Sequence, residues 1–325
     1  MTDMNMIQAI RSVLQSELER DDSVVVLGQD IGVNGGVFRA TDGLQQQFGA
    51  ARVVDTPLAE GAIVGAAVGL AVSGLTPIAE IQFLGFAHQA YHQIADQVAR
   101  FRHRSRGRFE LPMVIRAPFG GGVRTPELHS DALEAQFVHC PGLKVVTPSN
   151  PHDAKGLLLE AIRSRDPVLF LEPLRGYRLV TGDVPDGDYQ EPLGRAAIRR
   201  EGSDITLIAW STAVQLAEQA AEALGREGID AGVLDLRSLV PLDTETLASE
   251  VARTGRAVVV HEAVRTGGFG AEVIATLNEE CFYDLLAPIQ RVTSPDLPYP
   301  LPGGERYFIP DVDSVVAAVR EVMAE

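Results

Sequence analysis

Short, nearly continuous apolar runs recur along the chain: Ser23 to Leu27 (SVVVL), Pro77 to Phe83, Met113 to Arg116, Leu143 to Thr147 (LKVVT), Pro167 to Leu171 (PVLFL), Ile205 to Ala209, Ala231 to Asp235 and Ala257 to Val260. Each is too short for a buried helix and apolar enough for a strand covered on both faces. Segments of helical spacing fall between them, such as Met6 to Glu19, where Ile7, Ile10, Val13, Leu14 and Leu18 share one side. Strands alternating with helices predict an α/β fold of mostly parallel sheets covered by helices. Between Val180 and Pro192 the pattern stops, and VTGDVPDGDYQEP reads as a linker. Two α/β domains are therefore expected, residues 1–185 and residues 186–325.

A chain of 325 residues that is 46% hydrophobic and 22% charged has enough apolar material for two such cores. Its formal charge of −16 argues against a nucleic-acid or anionic-membrane surface and suits a basic protein partner. Cys140 and Cys281 lie far apart without metal-type spacing, and the polar start MTDMNMIQAIRSVLQ carries no signal-peptide pattern. A cytoplasmic location is expected.

The stretch from Asp55 to Phe86 (DTPLAEGAIVGAAVGLAVSGLTPIAEIQFLGF) concentrates the chemistry. A turn at Thr56-Pro57 precedes a lone carboxylate, Glu60, which opens an apolar helix that runs toward Leu75. That helix is shorter than the roughly 20 residues a bilayer span requires, so it belongs to a core or a subunit interface. Gly61, Gly65 and Gly69 recur every fourth residue and flatten one of its faces, which lets another backbone come close. The following strand delivers Gln82 and Phe86 toward Glu60. A plain reading of Glu60 exists as well: acids in a first helical turn gain about 0.3–1 kcal/mol from the helix dipole.

Other candidates carry weaker signals. The loop Gly32 to Gly36 has glycines that would admit phosphate, but in the wrong order for a dinucleotide fingerprint. Phe86 to Arg102 is expected as one helix, on which His88 and His92 have the spacing of a metal pair without a third ligand, so no metal site is assigned. Arg100 to Arg108 places positive charge at a helix C-terminus. The loop APFGGGVRTPELHS joins three glycines to Arg124 and His129, which makes His129 an active-site candidate. Gly267 to Gly270 reads as a structural turn.

In order along nearly the whole chain, DTPLAEGAIVGAAVGLA, EIQFLGF, RAPFGGGVRTPELHSD, HCPGLKVVTPSNPHDAKGLL, DPVLFLEP, GSDITLIAW, VLDLRSLVPLD, TGRAVVVHEA and LAPIQRVTSPDLPYP resemble the beta subunit of the thiamine-diphosphate-dependent 2-oxo acid dehydrogenases. The resemblance implies a transketolase-like pyrimidine-binding domain followed by a transketolase C-terminal-like domain. It implies that Glu60 hydrogen-bonds the aminopyrimidine of thiamine diphosphate and favours the tautomer that removes the thiazolium proton. Leu58, Gln82 and Phe86 match positions that hold the pyrimidine, Phe86 by stacking. His129 matches a histidine that handles the decarboxylated intermediate and its transfer to lipoamide. The C-terminal domain is implied to stabilise the dimer and to contact the acyltransferase.

The family's diphosphate and Mg²⁺ motif, Gly-Asp-Gly followed later by paired asparagines, does not occur in this sequence. The resemblance therefore implies half an active site, with an alpha subunit supplying the metal ligands in an α2β2 heterotetramer that serves a lipoyl-bearing acyltransferase core. Where many relatives have an acid after the first-strand glycine, this chain has Gln29, then Asp30, and His92 replaces a common aspartate. TPELHSD resembles pyruvate-type relatives, whereas EIQF, FLEPLRGYR and HEAVRTGGFG resemble branched-chain 2-oxo acid ones, and the resemblance places pyruvate slightly ahead as substrate. A non-catalytic assembly subunit is the competing function; Glu60→Gln separates it from the enzyme.

Overall fold

A computed structural model describes all 325 residues. Its strands, in chain order, are β1 (Thr2–Asn5), β2 (Val24–Gly28), β3 (Val53–Asp55), β4 (Thr76–Glu80), β5 (Val114–Phe119), β6 (Lys144–Val146), β7 (Val168–Pro173), β8 (Thr181–Val184), β9 (Ala197–Arg200), β10 (Ile205–Ala209), β11 (Ala231–Asp235), β12 (Ser238–Val240), β13 (Ala257–Val264) and β14 (Gln290–Ser294). Seven form one sheet in the order β12-β6-β7-β5-β4-β2-β3, parallel except for β12. Five form a second in the order β14-β13-β10-β11-β9, parallel except for β9. The apolar runs are the central strands of these sheets, and β2, β5, β7, β10 and β11 are buried along their whole length.

Successive residues of each strand serve opposite faces. Val114, Val168 and Phe170 enter a core with the Met6–Arg20 and Pro151–Ile162 helices. Their neighbours Ile115, Ala117, Leu169 and Leu171 enter a second core, which continues through the helices into Ile208, Leu234 and Val259 of the other sheet. The two sheets thus share one apolar seam. A strand crosses it too, for β12 follows β11 in sequence yet pairs with β6 at the edge of the first sheet.

Local details depart from the expectations. The predicted linker contains a strand, β8, which pairs antiparallel with β1. The apolar helix is Glu60–Val72, stopped by Gly74 at φ +93° and a Leu75 N–H bond to the Leu70 carbonyl. The single helix expected from Phe86 to Arg102 is three pieces: a 3₁₀ segment Leu84–Ala90, a π segment Gln93–Val98 and a short α-helix Phe101–Arg104. Ala99 N–H bonds to the Ile94 carbonyl, so one residue is looped out where the helix turns toward the basic run.

Candidate active site

The β4 strand ends at Glu80, and the chain leaves it through Ile81, Gln82 and Phe83. Gln82 donates to the Asp30 carboxylate at 3.2 Å and to the Gln29 carbonyl at 3.5 Å. Asp30, at the end of β2 with φ +59°, is therefore the acid that faces Gln82, while Gln29 contributes its backbone. Asp55 closes the adjacent Gly32–Gly36 loop by accepting from Gly32 N–H at 2.6 Å and Val33 N–H at 3.1 Å. Those amides are engaged within the chain, which fits the loop reading of this stretch.

Two glycines bring the remaining candidates together. A Cβ on Gly61 would stand 3.2 Å from the Gln89 carbonyl oxygen, so the first turn of the Glu60 helix lies against the Leu84–Ala90 segment. A Cβ on Gly85 would overlap the Leu128 carbonyl, so that segment in turn lies against the Glu127–His129 turn. His129 closes the group: its ring is 4.5 Å from Phe83 and 5.0 Å from Phe86, edge to face in both cases. Phe83 and Phe86 are 5.6 Å apart, and Phe38 extends the aromatic cluster.

Polarity at this cluster is unbalanced. His129 Nδ1 is buried without a hydrogen-bond partner, and buried polar atoms are almost always paired. Glu60 is 6% exposed, at the first position of a helix whose cap residue, Ala59, offers no side-chain hydrogen bond. Leu58, by contrast, is 70% exposed beside it. A buried carboxylate, an orphaned imidazole nitrogen and an uncovered leucine at one edge are what a ligand and a second protein surface would complete.

Beneath the site lies a buried ion triad. Arg116 of β5 contacts Glu80 of β4 at 2.8 Å and Glu172 of β7 at 2.6 and 3.0 Å, and Tyr177 donates to Glu172. Burial pushes the Glu80 carboxyl above its usual range, with Arg116 opposing. Burial also works against the Arg116 charge, but the two carboxylates more than offset this and keep it protonated. The triad fixes the ends of three adjacent strands under the Gln82–Phe86 segment. A sequence signal for it existed: one charge stands in each of the apolar runs PIAEI, VIRAPF and VLFLEP.

His88 and His92 do not converge: His88 bonds Gln136 at 2.9 Å and His92 bonds Asp96 at 3.0 Å. His152, Asp153 and Glu191 do come together, but the Arg237 guanidinium sits 3.3 Å from Asp153 and 3.0 Å from Glu191 and supplies the cation there. On the Glu60 helix, Gly65 and Gly69 face outward with nothing within 4 Å of a Cβ, beside exposed Ala62 and Ala66. The flat face is unfilled by this chain.

The residues match two family models: transketolase, pyrimidine binding domain, over residues 2–179, and transketolase, C-terminal domain, over residues 194–315. The pyruvate dehydrogenase E1 component subunit beta of Staphylococcus epidermidis is 49% identical over 323 residues, covering 99% of both chains. The protein of the same name from Bacillus subtilis is 48% identical with the same coverage. This chain belongs to the beta-subunit family of the 2-oxo acid dehydrogenases. Among solved structures, a split gene transketolase described as an inactive beta4 tetramer superposes with a TM-score of 0.81 at 25% identity, over 99% of this chain and 98% of that one. Beta subunits of this family are components of multi-subunit enzymes, and the outward glycine face and uncovered Leu58 are in keeping with that. No helix is long and apolar enough to cross a membrane.

Proposed function

We propose that this chain is the beta subunit of a pyruvate dehydrogenase E1 component, active with an alpha subunit in an α2β2 heterotetramer and delivering acyl groups to a lipoyl-bearing acyltransferase in the cytoplasm. The observation that carries the reading is full-length similarity at 48–49% identity to chains of that name. The Glu60–Phe86–His129 grouping supports a thiamine diphosphate half-site within it. When bound, thiamine diphosphate supplies a nucleophilic carbon and a sink for the electrons released on decarboxylation.

Glu60 holds and shares a proton at the pyrimidine ring nitrogen, a task suited to a carboxylate sheltered from water. Phe86 stacks on that ring, Gln82 and Leu58 complete its seat, and Phe83 with Phe86 keeps water from the reacting face. His129, with Nδ1 uncommitted inside the chain, hydrogen-bonds the substrate oxygen and moves a proton during acyl transfer. Diphosphate and Mg²⁺ are assigned to the alpha subunit.

The test is calorimetric binding of thiamine diphosphate with Mg²⁺ to this chain alone and to the chain co-purified with its alpha partner, followed by turnover on a panel of 2-oxo acids. Binding by the pair alone and preference for pyruvate support the reading. Tight binding by the isolated chain would overturn the split site, and preference for branched-chain acids would overturn the substrate. Glu60→Gln should lower turnover by about 10²–10⁴-fold; full activity would leave this chain an assembly subunit.

A further inference from the structure

The loop that ends on His129 begins with three consecutive glycines, the first two pressed against side chains of the C-terminal region and the third against Arg175, just after β7. β5 runs out at Phe119 into Gly120 and Gly122, at φ +80° and +89°, which only glycine adopts freely. A Cβ on Gly120 would stand 3.1 Å from Glu262 Oε2, one on Gly121 would overlap the Tyr299 hydroxyl, and one on Gly122 would stand 2.6 Å from Arg175 Cδ. The amides exposed by this approach are all taken. Gly121 N–H donates to Glu262 Oε1 at 2.5 Å. Gly122 N–H donates to Glu305 Oε1 at 2.7 Å and to the Tyr299 oxygen at 3.3 Å, and Arg124 N–H reaches the same Glu305 oxygen at 3.3 Å. Tyr299 donates its own hydroxyl proton to Glu305. Glu262 belongs to β13 of the second sheet, and Tyr299 and Glu305 follow β14.

We propose that Glu262 and Glu305 are positioning residues, two carboxylates of the C-terminal region that hold the backbone of Gly121 and Gly122 and thereby fix the loop carrying His129 over the site. This deepens the reading above and rests on it for the role of His129. These bonds to carboxylate oxygens replace what a sheet would otherwise give a loop between β5 and the Glu127–His129 turn. Farther along, Thr125 and Ser130 hydroxyls bond to each other, and the Leu128 carbonyl packs on Gly85. The loop is thereby tied at both ends, to the C-terminal region at its start and to the Leu84–Ala90 segment at its finish. The groups facing Glu262 are the Gly121 amide, the Glu134 and Glu305 carboxylates and the Arg175 guanidinium. Two acids and one base around a third acid form an arrangement that a merely packed interface does not need.

The test is hydrogen exchange across residues 120–130 in the assembled enzyme, together with steady-state kinetics, for Glu305→Ala and Glu262→Ala and for the conservative Glu262→Gln. Exchange at residues 121–124 should rise about tenfold or more in the alanine variants while the strands β4, β5 and β7 keep their protection. Turnover should fall about 10–100-fold with KM for the 2-oxo acid nearly unchanged, the signature of a displaced group. Glu262→Gln, which keeps an acceptor oxygen, should restore most of both. Unchanged exchange at residues 121–124, or a loosened loop with full turnover, would overturn the proposal; so would protection lost uniformly across the chain. If the alanine variants fail to fold, Tyr299→Phe, which removes one partner of Gly122 and keeps the ring, gives the same reading on a smaller scale. His129→Asn run alongside separates the two ideas. Loss of turnover in His129→Asn with none in Glu305→Ala sinks the clamp alone, whereas full turnover in His129→Asn sinks the role of His129 and leaves exchange to decide the clamp.

Discussion

Replacing Glu262 by glutamine should make the chain more stable at pH 8 than at pH 5, relative to the unsubstituted protein. Burial, with Glu134 and Glu305 close by, pushes this carboxyl from 4.5 up to about 7, although the Gly121 amide and Arg175 favour its ionised form. Because the folded value is raised, the folded state holds a proton that the unfolded chain releases between pH 4.5 and 7. Stability therefore falls as pH rises through that window; the cost is absent below it and complete above it. At about 1.4 kcal/mol per pH unit, the full displacement costs about 3 kcal/mol. Glutamine is nearly isosteric, keeps an oxygen for Gly121 N–H and does not titrate. The difference between variant and parent should thus shift by about 2–3 kcal/mol between pH 5 and pH 8, lowered somewhat because Glu134 shares the titration. Urea denaturation at fixed protein concentration, followed by the fluorescence of the single tryptophan, Trp210, measures it; that indole donates to Glu134 at 3.2 Å and reports on the same seam. An equal difference at both pH values would refute the reasoning, since Glu262 would then already be ionised in the folded protein at pH 5, as it is in the unfolded chain.

Arg116→Met should cost about 3–5 kcal/mol in denaturation experiments, because Glu80 and Glu172 would be left buried without their counter-ion. Gly85→Ala should lower stability by about 1–3 kcal/mol and turnover with it, since the new methyl group meets the Leu128 carbonyl and must move the turn that carries His129; unaltered turnover would detach that turn from the site. Gly65→Leu or Gly69→Leu should leave the melting of the isolated chain within about 1 kcal/mol, helped by propensity, but reduce its assembly as seen by light scattering. Normal assembly in both would place the subunit seam elsewhere.

Much of the fold was legible because parallel strands buried on both faces leave a local mark, and β2, β5, β7, β10 and β11 each fall on an apolar run. The strands that escaped reading are of another kind. β1, β3, β8, β9, β12 and β14 are three to five residues long, and β12 is set by a pairing with β6 far away in sequence, which no local period encodes. The helix expected after Phe86 was legible in its apolar positions but not in its winding, because the wide turn between Ile94 and Ala99 answers to packing rather than to propensity. The Glu60 helix, the Leu84–Ala90 segment that carries Phe86 and the turn that carries His129 lie near one another through two glycine contacts. Gly61 was noticed for its spacing; the contact of Gly85 with Leu128 required three-dimensional knowledge.

The same distinction explains why Glu262 and Glu305 went unread beside His129. The chain has 44 acidic residues, and only the fold shows that the buried Glu305 and the desolvated carboxyl of half-buried Glu262 differ from the solvated majority. Sequence places His129 in a glycine-rich loop, which by itself implies freedom. The fold removes that freedom by pressing the glycines against Glu262, Tyr299 and Arg175, so their small size is used for close approach rather than for motion. A loop shaped this way depends on the C-terminal region for its position as much as on its own residues. Substitutions at the β13 and β14 ends should therefore appear in the chemistry of the first sheet, and the direction of influence runs through backbone amides that no side-chain motif records.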